Sequence, residues 1–252
     1  MTPDGAAISV ENLTMNFGGL RALDHVTLDI APGERLVIIG PNGAGKTTFF
    51  NILTGVLRTS AGQIRFFGRD VTHLSIHGRA RLGLSRTFQI TTLFLHLTVL
   101  ENVLLAVQAA RGVRFALHRA LTGYRHLYDR AEAILDEWRL AARRDLPANL
   151  LSYGEQRQLE IVLALAGKPR VLLLDEPTAG LAPTETGMVV QMIERLPADI
   201  TVILIEHDMD VAFSLAHLMA VFSQGRCFAS GTREAIRNNP EVMEIYLGTG
   251  DA

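Results

Sequence analysis

The chain has one cysteine, one tryptophan and only two lysines in 252 residues. A lone cysteine, Cys227, forms no internal disulfide, so nothing in the covalent structure demands an oxidising compartment. No apolar run approaches the roughly 20 residues that a bilayer-spanning helix needs. The opening MTPDGAAISVENL has no basic stretch followed by an apolar one, so no signal peptide is expected. An excess of charge of either sign is also missing, since the formal net charge is −2. That balance argues against a coat for nucleic acid, which works by neutralising phosphates. What remains, 48% hydrophobic and 20% charged residues, describes a globular protein with a well-filled core. If such a chain works at a membrane, it does so through a partner. The basic residues are lopsided: 22 are arginine, and only Lys46 and Lys168 are lysine. Base composition of the gene is the plain explanation, yet it draws attention to Lys46.

Three short apolar runs, Leu36 to Ile39, Val171 to Leu174 and Ile200 to Ile205, predict strands buried on both faces. Helical patterns separate them: KTTFFNILTGVL from Lys46, ending near Gly55, then 152–166 and 184–196. Strands alternating with helices predict an α/β core with a mainly parallel sheet. Ala7 to Asn12, Ala22 to Ile30 and Gln63 to Phe67 read instead as strands divided by glycine-rich turns, an antiparallel β patch beside that core. From 93 to 148 the pattern is helical. Leu100, Val103, Leu104 and Val107 form one stripe; Leu127, Ala131, Ile134, Leu135 and Trp138 form another. The expectation is one domain over 1–252. Residues 1–92 and 149–252 form its core, interrupted by a helical subdomain at 93–148. The sequence has no internal repeat and no low-complexity linker.

Residues 40–48 read GPNGAGKTT and fit G-x-x-x-x-G-K-[ST], after a buried strand and at the start of a helix. The loop Gly40, Pro41, Asn42, Gly43, Ala44 and Gly45 would wrap phosphates, its glycines letting the backbone N–H groups of the non-proline residues point inward, and the helix start adds partial positive charge. Lys46 would reach the β- and γ-phosphates, with Thr47 on Mg²⁺ and Thr48 beside it. A second segment, VLLLDEP at 171–177, brings two carboxylates to the end of an apolar strand, where ligands bind in open α/β sheets. Asp175 is the expected metal partner, directly or through water, and Glu176 the expected general base. An Asp-Glu pair after a strand is by itself more often a solvated turn; the phosphate loop reverses that weighting.

About twenty residues upstream stands LSYGE, 151–155. Ser152 and Glu155 have capping-box spacing, and Ser152 and Gly154 would present donors at a helix start. The segment resembles the LSGGQ signature of ABC ATPases. Further matches follow in that family's order: Gln89 in SRTFQ, His207 in LIEHDM and Phe17 in NFGGLRAL. The resemblance spans almost the whole chain and implies the ABC ATPase fold, with ATP and Mg²⁺ as cofactors. Gln89 would touch metal and attacking water, His207 the γ-phosphate and Phe17 the adenine. ABC ATPases pair head to tail, so Ser152, Gly154 and Glu155 would face the ATP of a partner. Tyr153 and Glu155 depart from LSGGQ, and Ala182 in AGLAP stands where the family's D-loop carries aspartate, which puts that polar contact in doubt.

GLSRTFQ, HLTVLENV, LSYGEQRQLEI, ILIEHDM and the closing IRNNPEVMEIYLG, with Tyr246, Leu247 and Gly248, are similar to ATP-binding subunits of branched-chain amino acid importers, in particular the ATPase with the longer helical block. That implies two membrane permeases, a second similar ATPase subunit or a homodimer, and indirectly an external solute-binding protein. It implies a place on the cytoplasmic face of the cell membrane, and no nucleic-acid partner. Substrate choice belongs to the other subunits. The apolar ITTLFLHLTVL at 90–100 offers Thr92, Leu93, Phe94 and Leu95 for a groove receiving a permease helix, or a buried start to the helical block. Arg111, Arg114, Arg119 and Arg125 read as solvated surface before an anionic-membrane contact. Alternatives are the ATPase of an exporter or lipid-extraction system, and a soluble ABC ATPase unconnected with transport. The second usually carries paired domains or a coiled coil, and one set of motifs with no heptad run counts against it.

Overall fold

The computed structural model describes residues 5–87, 93–110 and 125–242. The expected strands form in two sheets. One is antiparallel, in the order β2 (Leu20–Ile30), β1 (Ile8–Phe17), β4 (Ala61–Phe66), β5 (Arg69–Asp70). The other is six-stranded, in the order β10 (Arg226–Thr232), β9 (Leu218–Ser223), β3 (Arg35–Ile39), β8 (Thr201–Ile205), β7 (Val171–Asp175), β6 (Leu84–Arg86). All its pairings are parallel except β9 with β10. Every residue of β7 and β8 is buried, as strands covered on both faces should be.

Between the sheets lies helix α1 (Lys46–Thr54). Its Phe49, Phe50, Ile52 and Leu53 join the cluster made by the inward residues of both sheets. Phe49 and Phe222 meet at 5.2 Å between ring centroids. The helix stops at Gly55, whose left-handed backbone (φ 80°) lets its N–H bond to Ile52 O. A buried cation closes the same end. Arg79, on the short helix α2 (Ile76–Arg81), donates to Ile52 O at 2.5 Å, Leu53 O at 2.7 Å, Thr72 O at 3.0 Å and Leu74 O at 3.2 Å. Burial pushes its guanidinium down to about 10, so it keeps its charge at neutral pH beside the negative end of α1. Cys227 is moved the other way, with burial raising its thiol to about 11, which leaves it unreactive.

The remaining helices are α3 (Val99–Ala110), α4 (Arg125–Glu137), α5 (Tyr153–Leu165), α6 (Pro183–Glu194), α7 (Met209–Leu215) and α8 (Arg233–Arg237). The chain falls into two compact units. The first holds residues 1–86, 170–177 and 196–252, with both sheets, α1, α2, α7 and α8. The second holds 87–169 and 178–195, with α3 to α6. The divisions therefore lie outside the boundaries at 93 and 148 read from periodicity, because α5 and α6 pack with each other and α5 with α3. On α3 and α4, Leu100, Val103, Val107, Leu127, Ala131, Ile134 and Leu135 are buried, while Leu104 and Trp138, one residue past α4, are half-buried. Among the described residues no helix is long and apolar enough to cross a membrane.

Phe49→Ala should destabilise the first unit by about 3–5 kcal/mol, because it opens a cavity against Phe222 that the sheets cannot collapse to fill. Urea unfolding measures this; a loss below about 1 kcal/mol would mean that α1 is not the central packing element.

Candidate functional site

The parallel register brings three segments to one edge. Ile205 of β8 is paired with Ile38 of β3 on one side and with Asp175 of β7 on the other. One residue further, Glu176 N–H donates to Ile205 O at 3.0 Å, and Glu206 N–H to Ile38 O at 3.3 Å. The phosphate loop after β3, the carboxylates after β7 and His207 after β8 therefore emerge together.

An open cleft at this edge is lined by Phe17, residues 42–48, Glu176, His207 and the turn at 224–225. Gly45 is the N-cap of α1 with φ 100°. A Cβ there would come within 2.7 Å of Ala22 O and 2.8 Å of Leu23 Cδ2, so only glycine lets the loop lie this close to β2. The opposite support is the β9–β10 turn, where Gly225 N–H donates to Ala44 O at 3.1 Å. Lys46 folds back over its own loop and donates to Gly40 O at 2.6 Å and Pro41 O at 3.0 Å. Burial lowers its pKa, against the pull of Glu176 and Asp175. Thr47 is exposed at the helix start, Thr48 half-buried, and Phe17 is 45% exposed at the cleft.

Glu176 occupies the left-handed region with φ 49°, a conformation that costs a non-glycine residue about 1–3 kcal/mol. It turns the carboxylate into the cleft, where His207 Nε2 lies 2.8 Å from Glu176 Oε1. Asp175 is different. Its side chain is 1% exposed, and Oδ2 accepts from Arg86 Nη2 at 2.6 Å. A threonine hydroxyl and a carboxylate are hard oxygen donors, a set that fits a Mg²⁺ ion that keeps most of its ligands from phosphates and water. Gln89 lies outside the described residues.

Helix α5 begins as its sequence predicts. Ser152 Oγ accepts from Glu155 N–H at 3.2 Å, and Glu155 Oε2 from Ser152 N–H at 2.9 Å, a complete capping box. Burial alone would raise the Glu155 carboxyl; Arg143 and the Ser152 N–H bring it below its usual value. The donor of Gly154 is already taken, because its N–H gives to Glu185 Oε1 at 3.0 Å. A Cβ on Gly154 would meet Glu185 Cβ at 2.7 Å, so this glycine is needed to admit the Glu185 side chain. The other oxygen of Glu185 accepts from Ala182 N–H at 3.3 Å. Ala182 offers no side-chain acceptor in return, so the start of α6 has half of a capping box. Glu185 was not singled out by sequence, since its partner stands 31 residues away. Arg86 was missed too, as one arginine among 22.

The profile of the family described as ABC transporter matches residues 23–179. This chain belongs to the ABC transporter family. A second profile, described as branched-chain amino acid ATP-binding cassette transporter, matches 226–252. The high-affinity branched-chain amino acid transport ATP-binding protein BraF of Pseudomonas aeruginosa is 41% identical over 96% of this chain and 97% of its own length. LivG of Escherichia coli K12, with the same description, matches at 41% over the same shares. A solved ATP-binding cassette of an ABC transporter in its ADP conformation superposes with a TM-score of 0.85 at 30% identity, covering 96% of this chain and 99% of that one. The protein is thus an ABC ATPase, of the kind that drives transport.

The Gly154 N–H, first, and Ser152 and Ala182 hold the Glu185 carboxyl below its ordinary value of 4.5. A depressed carboxylate stabilises the fold above its unfolded pKa and loses that contribution as pH falls through the folded one. Urea midpoints between pH 6 and 3 should therefore fall less steeply in Glu185→Gln than in the natural chain. Parallel pH slopes would contradict the Gly154–Glu185 bond.

Proposed function

We propose that this protein is the ATP-hydrolysing subunit of an importer for branched-chain or related amino acids, acting at the cytoplasmic face of the membrane through two permeases. The carrying observation is the convergence of the phosphate loop, Asp175, Glu176 and His207 at the end of three adjacent parallel strands. The likeness to BraF and LivG over nearly the full length supports the substrate class.

In this reading residues 40–48 cradle the phosphates, Lys46 leaves its two carbonyls for the β- and γ-phosphates, and Phe17 stacks on the adenine. Thr47 and Asp175 would hold Mg²⁺, with Gln89 beside them; when bound, it would supply charge neutralisation for the transferred phosphoryl group. Glu176 takes the proton from attacking water. His207, which lies 2.8 Å from Glu176, turns to the γ-phosphate. Ser152, Gly154 and Glu155 serve the ATP of a second ATPase subunit. Its γ-phosphate would take over from the Glu185 carboxylate at the start of α5, one anion replacing another at a helix N-terminus. With Ala182 in the D-loop, that part of the dimer contact lacks its usual carboxylate.

The permease surface is proposed on the segment before α3. Phe94 is 59% and Leu95 41% exposed, while Leu93 is buried, so of the apolar residues expected in a groove only the first two are available to a partner. Thr92 lies outside the described residues, as do Arg111, Arg114 and Arg119; Arg125 opens α4 on the surface.

Glu176→Gln should retain ATP binding and slow turnover by roughly 10²–10⁴, measured as phosphate release from the assembled complex. Undiminished turnover would remove Glu176 from the base role. Lys46→Ala should lose nucleotide affinity and hydrolysis together. Phe94→Asp should leave ATP binding intact and uncouple hydrolysis from uptake in vesicles; unchanged uptake would move the permease surface elsewhere.

A further inference from the structure

We propose that Arg86 is a positioning residue for the metal site, fixing the Asp175 carboxylate in the orientation that receives the metal ion accompanying ATP. The proposal rests on the reading of Asp175 as a metal partner.

Arg86 ends β6, whose register places it opposite Leu173 of β7, two residues before Asp175. Its Nη2 donates to Asp175 Oδ2 at 2.6 Å and its Nη1 to Asn51 Oδ1 on α1 at 2.6 Å. The guanidinium carbon also lies 5.7 Å from the centroid of the Phe50 ring. The two side chains are 8% and 1% exposed. An ion pair this deep gives little net stability, because desolvating both charges offsets their attraction. Its value here is geometric. A carboxylate free to rotate in a buried site would present either oxygen, whereas a planar fork anchored by Asn51 and by the face of Phe50 claims Oδ2 and holds the group in one orientation. Groups that orient a metal ligand in this way commonly govern affinity 10–100-fold. A lysine carries its three donors on one atom and lacks the fixed plane of the fork.

The test uses the full chain bound to a non-hydrolysable ATP analogue, with Mn²⁺ as probe and its affinity read by electron paramagnetic resonance. Arg86→Met should weaken Mn²⁺ binding roughly 10–100-fold while metal-free nucleotide affinity is kept. Arg86→Lys should recover only part of the loss. Asn51→Ala, which keeps the ion pair but loosens its anchor, should weaken Mn²⁺ in the same direction and decides the matter if Arg86→Met does not fold. Asp175→Asn is the control. Natural Mn²⁺ affinity in the Arg86 and Asn51 variants, with Asp175→Asn impaired, would overturn the positioning role alone. Natural affinity in Asp175→Asn would overturn the metal reading and the proposal with it.

Discussion

The site depends on one register. Ile205 stands opposite Ile38 and Asp175 at once, and its carbonyl receives the N–H of Glu176. A slip of one residue between β3, β8 and β7 would send every side chain of the shifted strand to the other face. Because these strands are buried on both faces, packing alone would tolerate such a slip poorly but would not forbid it. The loop after β3 adds the missing constraint, since Gly45 fits only against Ala22 and Leu23 on β2 and beside the turn at 225. The geometry of the cleft and the packing of the core are thus consequences of the same pairing.

The charges of the site have internal partners. Lys46 sits on two carbonyls of its own loop, Glu176 on His207 and Asp175 on Arg86, while in the second unit Glu185 fills the start of α5. For Lys46 and Asp175, which are buried, these partners avoid a buried unpaired charge, which would be costly. On the proposed reading, ATP would exchange three of these contacts, and the Asp175–Arg86 pair is the one suited to stay. The left-handed backbone at Glu176 belongs with this picture, as strain held in place by the flanking strands.

Much of this was legible in the sequence because it is written in local patterns. Unbroken aliphatic runs marked β3, β7 and β8; GPNGAGKTT and VLLLDEP marked the cleft; Ser152 and Glu155 marked the start of α5. What stayed hidden depends on long-range pairing. Strand β6 has three residues, too few for any period to show. Glu185 and Arg86 act through partners 31 and 89 residues away. Arg79, one arginine among 22, proves to be buried, with its donors on four carbonyls. The apolar stretch at 90–100 divides, with Leu93 turned inward and Phe94 outward, a distinction hydropathy alone does not make.

Affinity purification of the tagged chain from detergent-solubilised native membranes, with the co-purifying chains identified, tests the account most directly. It predicts two polytopic permeases and a second, similar ATPase. Recovery with only soluble or ribosomal partners would contradict the transporter and leave the ATPase alone.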